Sequence, residues 1–75
     1  MNPKIYCDIM NRIRKMAREN YASESDVLVT ITLVNGEKFK SEIDCITLRD
    51  GYIQAWTSRD TYCFVPIINI VSINV

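Results

Sequence analysis

The chain contains no histidine. That absence removes the commonest general base and the imidazole ligand on which most zinc sites rely. Its three cysteines, Cys7, Cys45 and Cys63, are widely spaced and show no paired zinc-binding spacing. An odd number also argues against a closed disulfide framework, so the expectation is free thiols packed as small apolar groups in a reducing compartment. Only two glycines are present. No glycine-rich phosphate loop and no nucleophile elbow can be drawn from them. No apolar run approaches the ~20 residues needed to span a bilayer, and the N-terminal segment lacks the apolar core of a signal peptide. The chain therefore reads as a cytoplasmic protein without enzymatic chemistry, metal or cofactor.

The side chains that invite a chemical reading have simpler ones. Asp44 and Asp50 form an imaginable carboxylate pair, but charged strand and turn residues are ordinarily just solvated. Cys63, between Tyr62 and Phe64, has no basic sequence neighbour to activate its thiol. Trp56, in a strand pattern, reads as a core or interface anchor.

Charge is balanced overall, with nine basic and nine acidic side chains, yet it is unevenly distributed. Residues 1–20 carry Lys4, Arg12, Arg14, Lys15 and Arg18 against Asp8 and Glu19. A basic N-terminal segment on a neutral whole permits local binding of a polyanion without demanding it. At 75 residues the chain forms one domain. A domain this small buries only about 60% of its unfolded surface, so association with further copies is the expected source of extra stability.

The periodicities give an order of elements. Asn2-Pro3 offers a side-chain cap followed by proline at the first helical position. Ile5, Ile9, Ile13 and Met16-Ala17 then recur at helical spacing, widened by Tyr6 and Met10, which predicts a helix over about 3–19. Arg14, Lys15 and Arg18 lie off that stripe near the helix C-terminus, where the helix dipole favours positive charge. A polar linker over about 20–26 follows. From Val27 the period becomes two, with Val27, Val29, Ile31 and Leu33 on one face. Asn35-Gly36 supplies a hairpin turn, and Phe39, Ile43 and Cys45 continue the inner face. Ile46 and Leu48 appear on the opposite parity, which predicts a bend or bulge. Arg49-Asp50-Gly51 is a second turn before a third strand, Tyr52–Trp56, which Thr57–Asp60 closes. Thr61–Val65 reads as a fourth strand, Pro66 as a break, and Ile68–Asn74 as a fifth. The expected fold is mainly β: an N-terminal α-helix and a five-stranded, strongly bent antiparallel barrel over about 27–75.

This order resembles the Sm-like family, which includes the bacterial RNA chaperone Hfq. The residues that carry the resemblance are Leu33-Val34-Asn35-Gly36 with Lys38, Phe39 and Ile43, similar to the first Sm motif in its Hfq form. Val65-Pro66-Ile67-Ile68-Asn69-Ile70-Val71-Ser72-Ile73 resembles the proline-containing break before the closing strand. The chain looks like the small divergent members found in phages and environmental bacteria. The resemblance implies a ring of roughly five to seven copies in which the fourth strand of one subunit pairs with the fifth of the next. Candidate interface residues are then Tyr62, Phe64, Val65, Ile68, Ile70 and Ile73. It also implies contacts with single-stranded RNA. At the turn beside the pore, Tyr52 would stack on a base and Arg49 would pair with phosphate. At the end of the helix, Asn11, Arg14, Lys15 and Arg18 resemble the basic rim of Hfq. Two departures stand out. Phe64-Val65-Pro66 replaces the Arg-Gly or Tyr-Lys-His of the second RNA-binding loop, and Ser41 replaces a glycine of the second strand. Alternative readings are a homo-oligomeric ring serving as a scaffold without RNA, and an isolated SH3-like adaptor that binds a peptide.

Overall fold

The computed structural model describes residues 1–20, 27–56 and 61–75. Helix α1 spans Pro3–Asn20. The Asn2 side-chain oxygen accepts from the Lys4 amide at 2.7 Å, so the expected cap is in place. The buried stripe is Tyr6, Met10, Ile13 and Ala17, while Ile5 and Met16 are exposed. The apolar face is thus rotated from the expected one. Helical geometry offers both Ile5-Ile9-Ile13 and Tyr6-Met10-Ile13-Ala17, and the larger residues of the second set fill the space above the sheet.

Six strands follow: β1 Leu28–Leu33, β2 Lys38–Glu42, β3 Ile46–Leu48, β4 Tyr52–Trp56, β5 Tyr62–Pro66 and β6 Ile70–Asn74. The extra strand arises where the sequence predicted a bend. A one-turn 3-10 helix, Ile43–Cys45, divides the expected second strand and reverses its parity. Phe39, Ser41 and Ile43 therefore face the core before it, and Ile46 after it. A second 3-10 turn, Ile67–Asn69, follows Pro66 and delays the last strand to Ile70. Pro66 itself ends β5. The expected linker, apart from Asn20, and Thr57–Asp60 lie outside the described residues.

The strands form two antiparallel three-stranded sheets, ordered β2-β1-β6 and β3-β4-β5. They are joined through the Ile43–Cys45 turn, giving the path β6-β1-β2, bend, β3-β4-β5. Ser41 ties the two sheets beyond the bend. It is 2% exposed, and its hydroxyl donates to the Trp56 carbonyl at 2.6 Å. The hydroxyl thereby satisfies a part-buried carbonyl. No backbone ladder joins β5 to β6 among the described residues. The expectation of a closed barrel is accordingly reduced to a bent, antiparallel, mainly β fold whose path ends in two strands not paired with each other.

The first hairpin turn differs in detail from a two-residue Asn-Gly turn. The Gly36 amide donates to Leu33 O at 2.9 Å and the Leu33 amide to Glu37 O at 2.8 Å. With Gly36 at φ +87, this is a three-residue loop ending in a glycine bulge. The core combines α1 with Val29, Ile31, Ile43, Ile53, Ile67 and Ile70, all 1% exposed or less. Full burial of each such side chain is worth about 1.5–3 kcal/mol.

Candidate functional site

The turn at Ile67–Asn69 organises one end of the molecule. The Ile67 amide donates to Gly51 O at 3.1 Å, and the Val34 amide donates to Asn69 O at 2.9 Å. Both hairpin turns are therefore fastened to the connection that leads into β6. Helix α1 packs over the same turn, and the Met1 amine donates to Ile67 O at 3.0 Å and to Ile70 O at 2.8 Å. Arg49 and Tyr52 sit in the second hairpin turn, where the Arg49 amide donates to Tyr52 O at 2.8 Å. Gly51, at φ +79, supplies the left-handed residue this turn requires. Arg49 is exposed, and the Tyr52 ring is accessible from outside.

The helix-end candidates lie elsewhere. Asn11, Lys15 and Arg18 are exposed and Arg14 is half-buried. Their spacing puts them along one side of α1. Over the same stretch of the helix, an open groove of about 280 Å³ lies between α1 and β6, lined by Ile9, Arg12, Ile13 and Met16 against residues 73–75. The helix thus runs from the Ile67–Asn69 turn toward the far end of β6. With a rise of about 1.5 Å per residue, Arg18 lies roughly 20 Å along the axis from Pro3. The six candidates for RNA contact are therefore two groups: Arg49 with Tyr52, and Asn11 with Arg14, Lys15 and Arg18.

Among the interface candidates, the structure separates side chains from strand edges. Val65, Ile70 and Ile73 are buried in the chain's own core, whereas Tyr62, Phe64 and Ile68 are 55%, 62% and 74% exposed. The side chains of Val65, Ile70 and Ile73 face inward: alternation does this along β5, and on β6 the bulge at Val71 brings Ile70 and Ile73, three residues apart, to the same face. Among the described residues no strand pairs with the second edge of β5 or of β6, although the Met1 amine bonds Ile70 O at the start of β6; exposed Val71 flanks that edge as the extra residue of a bulge opposite Thr32/Leu33.

One arrangement has no counterpart among the sequence-derived candidate sites. Tyr52, Phe64, Tyr62 and Trp56 form a ladder across the outward face of β4 and β5. Ring centroids are 6.3 Å apart for Tyr52–Phe64, 6.4 Å for Phe64–Tyr62 and 4.4 Å for the edge-to-face pair Tyr62–Trp56. The alternation Tyr52-x-Gln54-x-Trp56, facing Tyr62-x-Phe64, contains this signal. It escapes a reading in which Trp56, Tyr62 and Phe64 are taken as core or interface and Tyr52 alone as a base contact.

All three cysteines are free and half-buried. Among the described residues, no cluster of three or more His, Cys, Asp or Glu side chains is placed to hold a metal, and no helix is long and apolar enough to cross a membrane. Burial pushes the Tyr6 phenol up to about 12, with Arg14 pulling weakly the other way. Comparison of the chain with protein-family models, curated proteins and solved structures found no match.

Proposed function

We propose that the protein is a cytoplasmic, ring-forming Sm-like module that binds single-stranded RNA. In the ring, the free edge of β5 in one copy pairs with the free edge of β6 in the next. The observation that carries this reading is the strand path itself. The two strands at its ends are unpaired with each other, and an unpaired edge is a template for another chain. Exposed Ile68 and Val71 beside the β6 edge add apolar surface to the contact. A head-to-tail contact of this kind closes into a ring when the rotation per copy fits.

RNA would meet such a ring at two levels. Arg49 and Tyr52, at the turn fastened to Ile67–Asn69, offer a cation and a ring to one nucleotide, although Asp50 in the same turn lowers the local potential. Asn11, Arg14, Lys15 and Arg18 repeat once per copy, so individually weak phosphate contacts add up. The test is mass in solution by light scattering, followed by titration with U-rich, A-rich and mixed RNA across a range of salt. The expected result is an oligomer whose affinity falls with salt, and falls further when Arg14, Lys15 and Arg18 are all changed to alanine. A monomer at high concentration, or binding indifferent to salt and to that triple change, defeats the reading.

A second reading is favoured by one observation. The Pro66–Asn69 connection carries no basic group, and the chain has no net charge. On that reading the ring is a scaffold that holds protein partners. A host-lysate capture that persists after nuclease treatment would support it over the first.

A further inference from the structure

We propose that the outward face of β4 and β5 is a stacking platform for the bases of single-stranded RNA, with Tyr52, Phe64, Tyr62 and Trp56 as its rings. This deepens the RNA reading above and rests on it. Four of the chain's seven aromatic residues stand on this one small face. In a fold this size, aromatic side chains are the largest available source of buried apolar area, and leaving Phe64 and Tyr62 more than half exposed forgoes it.

The composition of the face decides what it fits. Its outward positions from β3 to β5 are Thr47, Tyr52, Gln54, Trp56, Tyr62 and Phe64, with Pro66 at the end. No branched aliphatic side chain is among them, although such residues fill the inward face of the same strands. No carboxylate is among them either. A nucleobase presents a flat π surface and an edge of donors and acceptors. Rings interleaved with the Thr47 hydroxyl and the Gln54 amide match both parts, and base stacking on aromatic side chains is sequence-tolerant. The rings are tilted to one another, by 55° for Tyr52–Phe64 and 35° for Phe64–Tyr62, so each offers its own outer face to a base and none is sandwiched between two rings. Exposed Arg49 stands at the Tyr52 end, where the backbone would leave the ladder.

The platform is compatible with assembly through the strand edges. Edge pairing uses backbone groups in the plane of the sheet, whereas side chains stand perpendicular to it. Tyr62 and Phe64 would keep their outer faces, and the neighbour's β6 would bring Ser72 and Asn74 alongside.

Trp56 is the sole tryptophan and packs on Tyr62, so its emission reports on the ladder directly. The experiment titrates the full chain with short oligouridylate, short oligoadenylate, duplex RNA and heparin while following Trp56 fluorescence. Saturable quenching by the single strands, with little from the duplex or heparin, is the expected result. Phe64→Ala should weaken binding by about 5- to 100-fold, and Phe64→Tyr should retain affinity. Single-stranded RNA that binds without moving Trp56 emission, and equally well to Phe64→Ala, overturns the platform while leaving RNA binding elsewhere intact. Absence of any RNA binding overturns both readings. Trp56 emission that follows protein concentration and ignores RNA would make the face a contact between copies and overturn the platform.

Discussion

Ser41→Ala leaves the Trp56 carbonyl without its donor in a part-buried position. Such a loss costs about 1–3 kcal/mol, which in a domain this small lowers the thermal midpoint by roughly 4–8 °C per kcal/mol. Calorimetry on the variant should show that drop; an unchanged midpoint would mean water replaces the hydroxyl. Tyr6 gives a pH signature. Its phenol ionises near 10 in the unfolded chain and only near 12 when buried. The folded state therefore keeps its full advantage below pH 10 and loses it as pH rises toward 12. Urea midpoints measured over that interval should fall for the natural chain and fall less steeply for Tyr6→Phe.

Among the elements, the helix and the first hairpin were legible because their signals are local. Asn2-Pro3 caps α1, and period-two alternation with Asn35-Gly36 sets β1 and β2. The parity reversal at Ile46 also announced the bend. What local pattern could not show was that the bend is a 3-10 turn long enough to split the strand. Nor could it place the helix rotation, since Ile5 and Tyr6 head equally good stripes and only tertiary packing chooses between them. The inward turn of Val65 was within reach, because alternation with exposed Phe64 encodes it; that Ile70 and Ile73 share a face depends on the bulge at Val71, which strict alternation does not show. The two groups of RNA candidates were individually visible, but their separation along α1 depends on where the helix lies. At the first turn, Gly36→Ala should cost about 1–2 kcal/mol. A methyl there meets nothing within 4 Å, so the penalty is that of the left-handed backbone alone. A urea midpoint indistinguishable from that of the natural chain would show that the loop relaxes to another turn type.

For the molecule as a whole, the unpaired ends of the strand path set the behaviour to be measured. Val71 is 57% exposed on β6, and lysine on a strand edge opposes pairing with another chain. Val71→Lys should therefore shift the mass in solution from oligomer toward monomer while the circular-dichroism spectrum stays close to that of the natural chain. Undiminished assembly would remove the β6 edge from the contact.

The fastening of Gly51 to Ile67 and of Val34 to Asn69 has a thermodynamic corollary. In the proposed ring, a nucleotide immobilising the Arg49–Tyr52 loop would also restrain the short connection from which β6 departs, the strand that the proposal offers to a neighbour. Occupancy and subunit cohesion are then linked quantities, each strengthening the other by the same factor. Dilution should disperse the unliganded assembly sooner than the loaded one.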